Sequence, residues 1–306
     1  MATELKLKEL SKKEMLLTSG HRMCSGCGAP IIVKMVLLAA EYPVIASNAT
    51  GCLEVSTCIS DYTAWKIPWI HNAFENAAAT ISGVETMYRS LKRQGKMDRE
   101  IKFIAFGGDG GTYDIGLQSL SGAMERGHDM LYICYDNGAY MNTGIQRSGL
   151  TPTGASTTTS PAGKVWWGNW RPKKNLVGIA AAHMIPYAAT SSVGYPQDVV
   201  RKVKKALSIK GPKFMQIHVP CPLGWRSDPS QTIKIAQLAV QSGLYPLVEY
   251  ENGQFSKAFK VSKPVPVEEY LKTQGRFRHL VKDPEHLKVV QAIADANMAA
   301  FKLTGE

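Results

Sequence analysis

Cysteine is scarce in this sequence, six in 306 residues, too few for a disulfide scaffold. Long apolar runs are missing as well. The longest, such as Ile31 to Ala40, is interrupted by Lys34 and is too short to span a bilayer. Met1 to Lys13 is charged and has no apolar core, so no secretory leader is read there and a reducing, cytoplasmic setting is expected. Internal repeats and low-complexity linkers are absent. So are a nucleic-acid module and the aromatic-and-basic stripe of a single-strand binder. These absences argue against a secreted disulfide protein, a membrane span and a nucleic-acid partner.

What is present suits a compact enzyme subunit. Hydrophobic residues make up 44% of the chain, ample for one core, and an α/β domain can reach this length alone. Apolar β-prone runs alternate with helical patterns, which predicts a mostly parallel, doubly wound sheet. Strands are expected at Pro43–Ala46, Ile101–Phe106, Met130–Tyr135 and Phe214–Val219. Helices are expected from Pro30 to before Tyr42, from Asp114 to Arg126 and from Pro196 to Ser208. In the second helix Ile115, Leu117, Leu120 and Met124 should be buried. In the third, Val199, Val200, Val203 and Leu207 should be buried while Arg201, Lys202, Lys204 and Lys205 face water. The formal charge of +11 suits steering of an acidic protein partner, or merely a lysine-rich solvated surface.

The run Gly107-Gly108-Asp109-Gly110-Gly111 follows the Ile101–Phe106 strand directly. Glycines there let the backbone approach phosphate oxygens, and N–H groups at the next helix start add favourable partial charge. A carboxylate at that point can hold Mg²⁺, a hard ion that often shares its oxygen ligands with phosphates. The next strand ends at Asp136-Asn137, with Asn137 28 residues after Asp109. Asn137 can add a side-chain oxygen and Ala139 its carbonyl. Alone, the glycine run is equally compatible with a simple strand-to-helix turn. The segment Asp136 to Gln146 weakens that reading, because a plain surface loop needs neither Tyr140 nor Met141.

The cysteines pose a separate problem. Cys24-Ser25-Gly26-Cys27 is a CxxC pair in a glycine-rich loop, Cys52 follows a strand, and Cys221 stands in Pro220-Cys221-Pro222. CxxC alone is ambiguous between zinc, a redox dithiol and chance. Glycines beside Cys27 suit a tight loop whose N–H groups point at sulfur, and the flanking prolines fix Cys221 on an extended segment. Cys58, six residues beyond Cys52, rivals Cys221 as a fourth ligand. Cys134, within Leu131-Tyr132-Ile133-Cys134, reads as a small buried hydrophobe. Cys52, Asp109, Asn137 and Cys221 each follow a predicted strand, and in an open parallel sheet that edge binds ligands.

Together, "GGDGGTYDIG…YDNGAYMNTGIQ" and the four cysteines resemble the thiamine diphosphate-binding β subunit of the 2-oxoacid:ferredoxin oxidoreductases, over about Gly20 to Trp225. The resemblance implies a thiamine diphosphate-binding domain over residues 1–225 that includes the iron–sulfur ligands. It leaves 226–306 as a C-terminal extension packing on the same domain or on a partner subunit. It implies Asp109, Asn137 and the Ala139 carbonyl as Mg²⁺ ligands and a 4Fe–4S cluster on Cys24, Cys27, Cys52 and Cys221. Asn142 would stand beside the thiazolium and the substrate. Thr50, Gly51, Gly108, Gly110, Gly111, Tyr140 and Thr143 would complete the cofactor site. The implied reaction is oxidative decarboxylation of pyruvate or a related 2-oxoacid to acyl-CoA and CO₂, with one-electron transfers through the 4Fe–4S cluster, and further clusters on another chain, to ferredoxin; an oxalate or branched-chain 2-oxoacid oxidoreductase of the same family is the alternative.

Two other classes stay open at this point: a non-redox thiamine diphosphate decarboxylase with structural zinc, and a non-catalytic electron-transfer subunit. One departure is visible. Single-chain relatives carry a glutamate just after the CxxC motif where this chain has Gly28-Ala29-Pro30, with Glu54 or Glu75 as substitutes. The glutamate that activates the aminopyrimidine ring is expected from a different subunit. Gly149 to Asn175, with Trp166, Trp167 and Trp170, is expected to cover the site, meet a partner or pack on the chain's own surface. Beyond Trp225, a helix is expected over Asp228–Gln241, a hairpin over Leu247–Val261 and a terminal helix over His286–Phe301.

Overall fold

A computed structural model describes residues 7–59 and 61–304. The strands are β1 (Val44–Ala49), β2 (Cys58–Ile59), β3 (Tyr62–Thr63), β4 (Trp69–Asn72), β5 (Lys102–Gly108), β6 (Leu131–Asp136), β7 (Tyr187–Ser192), β8 (Lys213–His218), β9 (Val248–Glu251) and β10 (Gln254–Ala258). Eight of them form one sheet in the order β10-β9-β7-β8-β6-β5-β1-β4. The six strands from β7 to β4 are mutually parallel. The β9–β10 hairpin adds antiparallel to β7 at one edge. β2 and β3 pair apart from this sheet.

Side-chain alternation explains why both faces are covered. Ile104 and Phe106 of β5, Leu131 and Ile133 of β6, and Met215 and Ile217 of β8 enter one core with the helices Gly28–Ala39 and Pro196–Ser208. Phe103 and Ala105, Tyr132 and Cys134, and Phe214 enter the opposite core beneath the helices Ala77–Arg93, Leu117–Glu125 and Leu176–Ala182. Strands buried on both faces read as continuous apolar runs, the mark of a doubly wound sheet. A third core, with Trp225, Ile235, Tyr270, Phe277 and Val290, gathers the residues after β8.

Two expected exposures come out reversed. Ile115 is 52% exposed, because Gly111–Ile115 form a π-helical turn ahead of the α-helix. The wider turn buries Tyr113 and swings Ile115 outward. Lys202 is buried rather than solvated. Its apolar stem lies in the core while Nζ donates to the Thr190 carbonyl and pairs with Asp198, each at 2.8 Å.

Because the core strands are parallel, their carboxyl ends share one rim. The chain leaves β1 for β4 on one side and then returns to β5 on the other. The strand order therefore reverses between β1 and β5, where a parallel sheet opens a crevice.

Candidate cofactor and iron–sulfur site

That crevice is a cleft lined by Thr50, Gly51 and Cys52 after β1, Gly108 to Gly111 after β5, and Asn137 and Ala139 to Thr143 after β6. All eleven residues expected at the cofactor site border it. Phe74, Tyr135 and Met141 also line it and were not anticipated. Phe74 follows β4 with no pattern to flag it, and Tyr135 reads as an ordinary core strand residue.

Helical backbone begins at Asp109, straight after β5, so the first N–H groups of that turn have no intrahelical partner. Gly110 admits no side chain, since a Cβ there would lie 2.3 Å from the Tyr140 ring. Tyr140 is fixed by its hydroxyl, which donates to Asp114 at 2.8 Å, and by its edge contact with Phe74. Asp114 also accepts from the Gly149 N–H and pairs with Lys174, both at 3.0 Å. One carboxylate thus ties the glycine turn to the loop that begins at Gly149.

Asp109 is buried. Burial, and then the neighbouring Asp136 charge, push its carboxyl up to about 8, against the Ser148 hydroxyl and Lys173, which pull it down. Ser148, buried 39 residues along the chain, donates to Asp109 Oδ2; no periodicity marks it in the sequence. The amide atom of Asn137 that faces Asp109 Oδ1 and the Ala139 carbonyl lies 2.9 Å from each. With nitrogen there, the amide bridges two acceptors. With oxygen there, three oxygens and no donor converge, and only a cation satisfies them. Ligands at right angles on Mg²⁺, with bonds of 2.0–2.1 Å, stand roughly 2.9 Å apart. With the oxygen inward, the spacings from Asn137 to Asp109 and to Ala139 are those of magnesium ligands, and the ion's charge would also reverse the upward push on Asp109. Tyr135 Oη, buried at the cleft without a partner, leaves a hydrogen bond for whatever fills it.

The turn that carries Asn137 is held from behind. Trp225 Nε1 donates to the Asn137 carbonyl at 2.7 Å and Thr151 to the Gly138 carbonyl at 2.8 Å. Lys173 and Gln216 donate to the Asp136 carboxylate at 2.5 and 2.7 Å.

The cysteine segments meet at the same rim. Gly28 N–H donates to the Pro220 carbonyl at 3.2 Å, and the loop before it is held by Thr232, which donates to the Gly26 carbonyl at 2.5 Å. The β8 exit thus lies against the CxxC loop, nearly 200 residues away in sequence. Burial pushes the Cys27 thiol up to about 12; the Ala29 N–H opposes it, and Cys221, Cys52 and Cys24 add to it. Cys52, at the start of the helix Cys52–Thr57, is also pushed up to about 12 by burial and then by Cys221 and Cys24. Burial raises Cys221 too, while the Gly224 N–H, donating to its sulfur at 3.4 Å, lowers it.

Cys24 thus raises Cys27, Cys52 and Cys221, and Cys221 raises Cys27 and Cys52, which groups these four thiols. Cys58 does not figure among the charges acting on Cys27, Cys52 or Cys221 and pairs with Thr63 in the β2–β3 ladder. Cys134 is buried inside β6. Among the described residues, no three His, Cys, Asp or Glu side chains converge on one ion. The four thiols instead suit a cluster, which spreads its ligands over several irons, and backbone N–H groups at Cys27 and Cys221 supply the hydrogen bonds such sulfurs need.

Neither Glu54 nor Glu75 lines the cleft. Glu54 is engaged by His71 at 2.7 Å. Trp166 and Trp170 stack on each other at the surface, each more than half exposed. Trp167 turns inward and stacks on His286 of the terminal helix.

Comparisons with known proteins identify the class of domain. The thiamine pyrophosphate enzyme C-terminal TPP-binding domain matches residues 49–217. The chain is 58% identical over 273 residues to pyruvate synthase subunit PorB of Methanocaldococcus jannaschii, covering 89% of this chain and 92% of that one. It is 53% identical to the PorB subunit of Thermotoga maritima, with 94% and 90% covered. It is 48% identical to ketoisovalerate oxidoreductase subunit VorB of Pyrococcus abyssi, with 89% and 88% covered. Among solved structures, a 2-oxoglutarate:ferredoxin oxidoreductase from Magnetococcus marinus shares the fold. Its TM-score is 0.57 at 18% identity, over 77% of this chain and 81% of that one.

Proposed function

The chain belongs to the thiamine diphosphate-binding β subunits of the 2-oxoacid:ferredoxin oxidoreductases, and from that membership we propose that it serves oxidative decarboxylation of pyruvate. The acyl group would pass to coenzyme A and the electrons to ferredoxin, with other subunits completing the complex. Pyruvate is put first because the relatives at 53–58% identity are pyruvate synthase subunits, although the Pyrococcus PorB chains, at 47–48%, stand no higher than the ketoisovalerate subunit at 48%. One observation carries the cofactor assignment: the Asn137 amide stands 2.9 Å from both Asp109 Oδ1 and the Ala139 carbonyl at the rim of a glycine-lined cleft, where an inward oxygen would complete a magnesium site.

In this reading Asp109, Asn137 and the Ala139 carbonyl hold Mg²⁺ against the diphosphate, and the N–H groups after Gly108 take its oxygens. Bound thiamine diphosphate supplies the electron sink for loss of CO₂. Thr50, Gly51 and Tyr140 bound the cofactor's space, while Asn142 and Thr143 stand at the exposed side from which substrate arrives. Cys24, Cys27, Cys52 and Cys221 hold a 4Fe–4S cluster, and Cys52 lines the cleft itself. Electrons thus have a short way out of the cofactor site.

The test uses the purified complex: iron and thiamine diphosphate content, and a 2-oxoacid panel with and without coenzyme A. The expected result is pyruvate-dependent ferredoxin reduction that needs coenzyme A. Asp109→Ala should lose most of its thiamine diphosphate while keeping its iron. Full cofactor occupancy in that variant would unseat the magnesium assignment. Iron-free complex with bound zinc would favour a non-redox decarboxylase.

A further inference from the structure

A second cavity of about 490 Å³, within the range of small-molecule sites, shares only Asn137 with the cofactor cleft. It is amphipathic. Its inner end carries Arg276 and His218, each 4% exposed, with Lys173 and Asp136. Its mouth is formed by the terminal helix Pro284–Ala300, where Ala296 and Ala300 are exposed, and Val290 and Ile293 lie along the way.

The charges at the inner end do not balance. Lys173 is neutralised by Asp136 at 2.5 Å, and Lys174 by Asp114, which lies outside the cavity. Arg276 has no such partner among the described residues. It donates to neutral oxygens: Gln274 Oε1 at 2.9 Å, Tyr270 Oη at 3.4 Å and the Asn137 carbonyl at 3.5 Å. Its guanidinium lies 3.7 Å over the Trp225 ring. A buried guanidinium without an anion is costly, and proteins retain one where an anion binds.

His218 adds a second group to the same site. Its Nε2 lies 3.4 Å from Tyr270 Oη, and its Nδ1 is buried with no partner. Arg276 donates to Tyr270 Oη; that hydroxyl can donate in turn to His218 Nε2. The imidazole then carries its proton on Nδ1, a buried donor with nothing to receive it. One guanidinium with no hydrogen-bonded anion, felt only from a distance by Asp136 and Cys221, and one unused donor suit a monoanion with two acceptor oxygens.

We propose that this cavity binds an organic monocarboxylate, its carboxylate held by Arg276 and His218 Nδ1–H and its apolar body running past Val290 and Ile293 to the mouth at Ala296. The site is separate from the cofactor cleft and does not depend on which 2-oxoacid the complex uses. Its occupant would compete with the Asn137 carbonyl for Arg276 and so bear on the turn that carries Asn137.

Calorimetric titration of the full chain with octanoate, octanol and inorganic phosphate tests this. Octanoate should bind saturably, and octanol and phosphate about tenfold more weakly or worse, a difference of roughly 1.4 kcal/mol. Ala296→Trp, at the exposed mouth and so harmless to folding, should weaken octanoate by a similar factor. Arg276→Ala should abolish octanoate binding if it folds; Ala296→Trp keeps the test decisive if it does not. Octanol binding as tightly as octanoate, octanoate affinity unmoved by Ala296→Trp, or no octanoate binding at all would each overturn the proposal.

Discussion

Glu249, on β9 beside the edge strand β10, accepts from Arg201 at 2.8 Å, Lys205 at 3.0 Å and Tyr187 at 2.8 Å while its side chain is 2% exposed. Burial alone would raise its carboxyl, but the bonds from Arg201, Lys205 and Tyr187 outweigh it and bring the pKa from the ordinary 4.5 to about 2. A depressed carboxyl stabilises the fold only where it is ionised in the folded chain. Its contribution is complete above about pH 4.5 and drains away as pH falls towards 2. A shift of that size amounts to about 3 kcal/mol. In urea titrations from pH 6 to pH 2.5, wild type should exceed Glu249→Gln by roughly that amount at pH 6. The gap should shrink steadily below pH 4.5. A gap independent of pH would mean that the side chain acts through packing rather than charge. The same residue clasps the antiparallel hairpin to the helix Pro196–Ser208, so acid should loosen that edge of the sheet first.

At the level of elements, the rim depends on strand ends brought together across long stretches of chain. The strands after which Asp109, Asn137 and Cys221 stand were readable because each is a short apolar run closed by glycine, an Asp-Asn pair or proline. Their common rim followed from parallel packing. Ile115 was misread because a π-helical turn breaks the 3.6-residue period. Lys202 was misread because a long apolar stem can bury itself when Asp198 and the Thr190 carbonyl satisfy its tip. Ser148, in a loop, and Arg276, in the short 3₁₀ turn Gly275–Phe277, were not legible at all, since each reaches the site through tertiary contact alone.

Cys221 and Cys58 bring the same logic to an experiment. The Gly28–Pro220 hydrogen bond sets the Cys221 loop beside Cys27, whereas Cys58 is held in the separate β2–β3 ladder. Cys221→Ala should therefore lose the cluster, or convert it to a three-iron form visible by electron paramagnetic resonance, and abolish electron output. Cys58→Ala should leave the cluster spectrum as in wild type. The reverse pattern would place the fourth ligand within the first 60 residues and detach the cluster from the cofactor rim.

On the scale of the whole molecule, the cleft is half a site. Of the acidic residues described, only Asp109 lines it, and that carboxylate is taken by the metal in the proposed arrangement. Glu54 is bound to His71, and Glu75 lies off the cleft. The resemblance to the family calls for a glutamate against the aminopyrimidine ring, and nothing lining this cleft can serve. Asn142 and Thr143 are exposed at its open side, where a second chain would close over substrate and exclude water. The proposed cluster, by contrast, would draw only on cysteines of this chain. The two capacities should therefore separate. Expressed alone and reconstituted with iron and sulfide, the chain should show the absorbance of a bound cluster yet reduce no ferredoxin with pyruvate, thiamine diphosphate, Mg²⁺ and coenzyme A supplied. Adding the subunit that carries the glutamate should restore turnover, and the same subunit with that glutamate changed to glutamine should not. Sustained pyruvate-dependent reduction by the isolated chain would mean that a carboxylate from within reaches the ring, and the half-site reading would fall with it.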